Sequence, residues 1–358
     1  MEDNRIRVLI VDDSVVARLL LQELIREEPT LVVVGAESSA QAALDKFNLS
    51  RPDVVILDVE MPGMSGVEMV SAIRARDLRL PIIMFSAYTA DGAAVTIEAL
   101  SRGASDFVTK PSQTASVDLA MNLVREQLLS KIKALANVRH RALSAPKNAE
   151  DPSSGSISVN SIKRSVIELV CFAASTGGPE VLETVLSALP VNFPVPIAIV
   201  QHMPPFFTKQ LANRLAEKCA IRVREAQSGE TLEPGTALIA PGDFHLLVRR
   251  RDARCFAITN SDPSENSCRP SADVLFRSAA EAFGNQTLAV VFTGMGQDGL
   301  KGCEAVKNAG GRIVIQDEAT SVIWGMAGAV SRAGFASRTL PIEKIAADIV
   351  RRVQEGRP

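Results

Sequence analysis

The sequence predicts an α/β protein made of two doubly wound domains, each a parallel sheet between layers of helices. Three observations carry that reading. The chain has 358 residues, more than one ordinary domain needs. Its short apolar runs alternate with amphipathic stretches, the rhythm of strand and helix in strict succession. A segment at 137–164, rich in Ser, Asn, Pro and charge and without sustained periodicity, breaks that rhythm and reads as a linker.

The elements follow in order. Arg7–Val11 (RVLIV) reads as a buried strand, and Val15–Glu27 as a helix with apolar residues at helical spacing. Leu31–Ala36, Val54–Leu57 and Ile82–Phe85 read as further strands, with helical patterns at 38–48, 65–76 and 92–101. Phe107 and Val108 end a fifth strand, and 114–135 forms a last helix. Residues 1–125 are thus one domain, 126–164 a linker that starts helical and turns polar, and 165–358 a second domain.

In the second domain Val166–Ala174, Val195–Val200, Thr287–Phe292 and Arg312–Gln316 read as strands. Glu180–Ala188, Phe207–Lys218, Ala272–Phe283, Leu300–Ala309 and Ile342–Gln354 read as helices. Residues 221–260 differ. Three β-like runs, Thr236–Ala240, His245–Arg249 and Cys255–Thr259, are separated by Pro-Gly and charged turns, as in hairpins. An antiparallel hairpin insertion is expected there.

Composition narrows the function classes. Hydrophobic residues make up 46% and charged residues 22%, which fits packed domains and not a disordered chain. The formal net charge is -2, so no basic field draws in nucleic acid. Residues 1–125 hold 12 Lys+Arg against 18 Asp+Glu; such an acidic excess marks a metal or phosphate site, or simply a solvated surface. The five cysteines include no CxxC pair, so neither a disulfide framework nor a zinc site is implied. No apolar run reaches the ~18 residues of a membrane span. The opening MEDNRIRVLIVDDS is too short in apolar residues for a signal peptide. The expected setting is the cytoplasm, without membrane insertion.

Four polar groups of the first domain stand at strand ends: Asp12-Asp13, Asp58, Ser86 and Lys110. In an open parallel sheet these converge on one edge. Carboxylates and water suit Mg²⁺, a carboxylate can attack phosphorus to give an acyl phosphate, and a lysine and a hydroxyl can hold the phosphoryl oxygens. Taken singly, each Asp could be only a polar turn residue. The strings VLIVDDS, LDVEMPGMSG, FSA and FVTKPS together resemble the receiver domains of two-component response regulators. That resemblance implies a flavodoxin-like fold with Asp58 as phospho-acceptor. It places Mg²⁺ on Asp12, Asp13, Asp58 and the Glu60 backbone carbonyl, makes Ser86 and Lys110 the phosphate-sensing pair, and gives Phe107 the aromatic switch position.

In the second domain Ser175 lies where a strand gives way to the turn CFAASTGGPE. Glycines permit a tight turn there, and Pro179 suits the first helical turn. A serine beside free N–H groups at a helix N-terminus suits developing negative charge. Alone, the string could equally be a helix cap or a phosphate-binding turn. A nucleophile needs a base, and the chain has three histidines. His140 falls in the linker, and His245 in the expected insertion, with a structural or groove-lining role. His202 follows a strand on the edge that carries Ser175, which makes it the better base. Asp298, the carboxylate of TGMGQDG, also follows a strand and could orient His202, or cap the next helix.

The strings ASTGGP, QHMPPFFT, APGDFHL, RPSADVLF, TGMGQDG and VIWGMAGA resemble the catalytic domain of the chemotaxis protein-glutamate methylesterases (CheB-type). The order receiver, linker, esterase matches as well. The resemblance implies a Rossmann-like α/β esterase with Ser175 as nucleophile, His202 as base, Asp298 as orienting acid and the Met295 N–H as oxyanion donor. It implies hydrolysis of glutamyl methyl esters on chemoreceptors, deamidation of receptor glutamines, and activation by a chemotaxis-type histidine kinase, with no cofactor in the esterase site. Three positions depart from the family pattern: Ala173 where Gly is common, Ala327 where Pro is frequent, and Cys268 where His is common. Two rivals stay open here: an inactive docking module, and output to a sensory pathway other than chemotaxis. A transcriptional regulator would need a basic recognition helix, which the neutral second half does not offer.

Overall fold

The computed structural model describes residues 5–111, 117–144, 166–252 and 254–357. The first domain has strands β1 (Ile6–Val11), β2 (Leu31–Glu37), β3 (Val54–Asp58), β4 (Ile82–Ser86) and β5 (Asp106–Thr109). They form a parallel sheet in the order β2-β1-β3-β4-β5. Helices α1 (Val15–Arg26), α2 (Ala40–Ser50), α3 (Gly66–Arg74), α4 (Ala90–Ser101) and α5 (Val117–Ser144) cover it. β3 and β4 are buried along their whole length, which is why they read as unbroken apolar runs.

α5 runs to Ser144, well past the expected end at 135, so the start of the expected linker is helix. The polar stretch is held by side chains: Arg139 Nη2 lies 2.9 Å from Asp77, and His140 Nε2 lies 3.2 Å from Asp53. The rest of the expected linker, up to 164, lies outside the described residues.

The second domain has strands β6 (Leu169–Ala174), β7 (Ile197–Gln201), β8 (Arg222–Glu225), β9 (Thr236–Ile239), β10 (His245–Arg251), β11 (Arg254–Asn260), β12 (Thr287–Val291), β13 (Arg312–Gln316) and β14 (Arg338–Leu340). Its helices are α6 (Gly178–Ser187), α7 (Phe207–Lys218), α8 (Ala272–Phe283), α9 (Leu300–Asn308), α10 (Met326–Arg332) and α11 (Ile342–Gln354). The main sheet is parallel throughout, in the order β14-β13-β12-β6-β7-β9-β8. The hairpin is smaller than expected. Among the strands of the described residues, β10 and β11 alone pair antiparallel, extended by a single bridge from Thr231 to Phe256, whereas Thr236–Ile239 joins the main sheet between β7 and β8. All four of its residues are buried, the pattern of a parallel strand covered on both faces and not of a half-exposed hairpin.

The first domain packs over the carboxyl edge of this sheet. α4 lies against α7 and α6. Phe107 of β5 stacks on Phe207, with ring centroids 4.3 Å apart at 11°, and Tyr88 meets Phe206 edge-on at 5.5 Å. Ile323, Val322 and Met295 of the second domain join the apolar cluster that holds Leu128 and Ile132 of α5. Asp106 of β5 accepts a hydrogen bond from the Thr176 hydroxyl and an ion pair from Lys131 at 2.8 Å. No helix among the described residues is long and apolar enough to cross a membrane.

Candidate active site

In the first domain, strand geometry gathers the expected acidic pocket. One carboxylate oxygen each of Asp12, Asp13 and Asp58 lies within 4.8 Å of the others. Asp12 and Asp58 are buried and Asp13 is exposed. Lys110 Nζ sits between the two buried acids, 3.0 Å from Asp12 Oδ2 and 2.9 Å from Asp58 Oδ2. Asp12 Oδ2 is buried and, apart from this ion pair, has no hydrogen-bond partner among the described residues. A buried carboxylate oxygen held only by a lysine, beside two further carboxylates, fits a hard divalent cation such as Mg²⁺.

Burial is the largest influence on Asp58 and pushes its carboxyl up to about 6, against the hydrogen bond from Lys110; the neighbouring Asp12 adds to the rise. Ser86, fully buried at the end of β4, accepts from Thr96 Oγ1 at 2.7 Å and lies 3.2 Å from the Gly92 carbonyl. Its hydroxyl is therefore engaged by α4, away from Asp58. Phe107 is buried in the contact with Phe207. Glu60 is exposed.

In the second domain β6, β7 and β12 bring Ser175, His202 and Asp298 to one edge. The nucleophile turn is fixed by backbone: Ser175 N donates to Thr293 O at 3.1 Å, and His202 N donates to Ala174 O at 3.1 Å. Gln201 Nε2 donates to Ser175 O at 2.9 Å. Gly177 takes φ +78 just after the serine. A Cβ on Gly294 would lie 2.8 Å from the Ser175 Cβ, so only glycine lets the two strand ends come this close.

His202 Nε2 lies 2.8 Å from Asp298 Oδ2. That leaves Nδ1 as the other ring nitrogen, and its neighbour is Cys268 Sγ at 3.7 Å. The Ser175 hydroxyl makes no hydrogen bond among the described residues, so it is not yet bonded to His202 here. The imidazole is pulled two ways. Burial alone would lower its pKa, but the bonds to Asp298 and Cys268 win and raise it.

Asp298 is buried and hydrogen-bonded by five donors. Besides His202, Ala272 N reaches Oδ2 at 2.6 Å. Ser271 Oγ, Asn266 Nδ2 and Asp273 N reach Oδ1 at 2.7, 2.8 and 3.2 Å. The carboxylate therefore closes the N-terminus of α8, where free N–H groups and the helix dipole favour an anion. Burial pushes Asp298 up, yet His202, Ser271 and Ala272 together hold it down at about 2. Asp298 does not cap α9, which starts at Leu300 with Gly299 as N-cap and no side-chain cap.

Sequence reasoning missed Asn266 and Ser271. Asn266 Nδ2 also reaches Asp273 Oδ2 at 2.9 Å, so one amide ties two buried carboxylates. The one available signal was Ser271 opening a helix just after Pro270, a start that offers N–H groups to an anion from elsewhere. His245 is structural: buried, with Nδ1 accepting from Ser271 N at 3.2 Å and Nε2 donating to Pro263 O at 3.1 Å. Met295 is the middle residue of the Gly294–Gly296 loop, and its N–H has no acceptor among the described residues.

Both domains match known families. The CheB methylesterase family model matches residues 170–349, and the response regulator receiver domain model matches residues 8–122. A protein-glutamate methylesterase/protein-glutamine glutaminase of Trichodesmium erythraeum is 44% identical, with 98% of this chain and 99% of that one aligned. The protein of the same description from Thermotoga maritima is 40% identical over 96% of this chain and 98% of its own length. The crystal structure of the Thermotoga maritima CheB methylesterase catalytic domain superposes with a TM-score of 0.51 at 41% identity, covering 52% of this chain and 99% of that domain.

Proposed function

This chain belongs to the CheB methylesterase family, and we propose that Ser175, His202 and Asp298 form the triad of its phosphorylation-regulated protein-glutamate methylesterase and protein-glutamine glutaminase activity. The observation that carries the triad is the His202–Asp298 pair at 2.8 Å, set on a sheet edge whose hydrogen bonds also fix Ser175. Asp298 stays ionised, so it holds Nε2–H of His202 and leaves the Nδ1 lone pair for the serine proton.

The chemistry then runs through an acyl-enzyme. Ser175 Oγ attacks the ester carbonyl of a receptor glutamyl methyl ester while His202 takes its proton. The Met295 N–H stabilises the oxyanion. The C–O bond to methoxide breaks, and His202 returns the proton so that methanol leaves. Water, deprotonated by His202, releases the receptor glutamate and free Ser175. With a glutamine side chain the same steps expel ammonia. Ser175→Ala abolishes methanol release from methylated receptor; turnover at the original rate would overturn the assignment.

Regulation rests on the receiver. Asp58 is the phospho-acceptor, with a chemotaxis-type histidine kinase as donor and methyl-accepting chemoreceptors as substrates. Asp12, Asp13, Asp58 and the Glu60 carbonyl would hold Mg²⁺, which screens charge between the carboxylates and an incoming phosphoryl group. Lys110 and Ser86 would then bind the acyl phosphate. Ser86 leaves its contact with Gly92 to do so, which loosens α4, the helix that packs on α6 and α7. Thr176, next to the nucleophile, is gripped by Asp106, and Phe207 by Phe107, so the unphosphorylated receiver blocks a bulky helical substrate. Residues 166–358 alone release methanol faster than the intact, unphosphorylated chain; equal rates would reject this blocking role.

A further inference from the structure

We propose that His202 and Cys268 form an inhibitory site for a thiophilic divalent cation of the Zn²⁺ class, inside the esterase centre. The geometry is that of one edge of a coordination tetrahedron. Zn²⁺ takes imidazole nitrogen at about 2.0–2.1 Å and thiolate sulfur at about 2.3 Å, so at the tetrahedral angle N and S lie roughly 3.6 Å apart. His202 Nδ1 and Cys268 Sγ are 3.7 Å apart. His202, Cys268 and Asp298 are one of two groups among the described residues with ligand atoms close enough for a shared ion.

The roles within the group are unequal. Both oxygens of Asp298 are taken, by His202 and Ala272 at Oδ2 and by Ser271, Asn266 and Asp273 at Oδ1. Asp298 therefore does not ligate. It fixes the ring through Nε2, the outer carboxylate that metal-bound histidines commonly have. The ion is held by Nδ1 and Sγ, with water at its remaining positions. Neither ligand is sealed off: both are partly exposed. Soft thiolate and imidazole select Zn²⁺ or Cd²⁺ over Mg²⁺, so the receiver's cation does not compete.

Inhibition follows from occupancy. An ion on Nδ1 takes the lone pair that would accept the Ser175 proton. This consequence rests on His202 being the base; the binding itself does not.

The test uses the full chain with Mg²⁺ and a small phosphodonor. Zn²⁺ is expected to depress methanol release reversibly, with recovery on chelation. Cd²⁺ is expected to give a sulfur-to-metal charge-transfer band at one equivalent, in the wild type and in Ser175→Ala. Cys268→Ala loses the band and weakens Zn²⁺ binding in equilibrium dialysis by more than about tenfold, since even an outer-shell partner is worth about that much. Cys268→His loses the band but keeps Zn²⁺. Cys219→Ser, which alters the other partly exposed thiol, changes nothing. A band that survives in Cys268→Ala overturns the site. A band lost as expected, with a wild-type rate indifferent to bound Zn²⁺, overturns the inhibition.

Discussion

Asp58 and Asp298 are both buried aspartates at the carboxyl edge of a parallel sheet, and the protein treats them in opposite ways. Asp58 is held by Lys110 at 2.9 Å and Val59 N at 2.8 Å, and its carboxyl is raised to about 6. Asp298 takes five hydrogen bonds and is lowered to about 2. Burial pushes both upward, so the supply of donors and the neighbouring charge, Asp12 beside Asp58 and His202 beside Asp298, decide the outcome. As the proposed phospho-acceptor, Asp58 keeps lone pairs uncommitted for phosphorus. A carboxylate that only orients a histidine can spend them all.

The largest expected effect breaks the saturated member. In Asp298→Asn the amide places N–H groups against Ala272 N, Ser271 Oγ or Asn266 Nδ2, and it no longer fixes the ring of His202 as an anion. Methanol release should fall by ~10³–10⁴, the scale of losing the orienting acid of a serine triad. A loss below tenfold would mean that the five donors serve α8 and not the chemistry.

Asn266→Ala sharpens the same point at smaller size. It removes one of the five donors and leaves Asp273 and Asp298 without the amide between them. Burial and the charge of Asp298 already raise the Asp273 carboxyl. A hydrogen bond to a charged group is worth about 1.5–3 kcal/mol, so a rate loss of roughly tenfold or more is expected. In the Asp298→Asn background the same substitution should cost little, because the bond it removes served Asp298. Full additivity in that cycle would assign Asn266 to the fold alone.

How legible these features were depended on burial and sequence distance. β3, β4 and β13 read directly because VVILD, IIMFS and RIVIQ are apolar runs buried by helices on both faces. β8 and β14, RVRE and RTL, lie at the two edges of their sheet and are half exposed, so their apolar signal is thin. α10 is built of small and apolar residues buried almost all round, without a polar face to give it a period. Each strand-end position, Ser175, His202 and Asp298, could be read because a topological rule places such residues together. Ser271 offered only its place at a helix start, and Asn266 offered nothing, because both act on Asp298 from far along the chain and no spacing announces that contact.

The smallest effect is on stability, and it tests the undersupplied member. The Asp58 carboxyl sits at about 6 in the folded chain against an ordinary 3.8. Between those values the folded state binds the proton that the unfolded state has released. Stability from this group is thus full below the unfolded value and is lost as pH rises through about 6. Asp58→Asn removes that loss. In metal-free solution its receiver unfolding transition in urea should lie above the wild type at pH 7.5, with the difference shrinking towards pH 4. Lys110 keeps Asp12 as partner in the variant, 3.0 Å away, so the comparison does not leave a cation stranded. Mg²⁺ should invert the order at pH 7.5, because an ion that binds only the folded wild type stabilises it by mass action, while the amide of the variant offers no charge to it. Equal midpoints at both pH values would show that Lys110 alone settles the charge on Asp58, and that the contrast with Asp298 is one of geometry and not of charge.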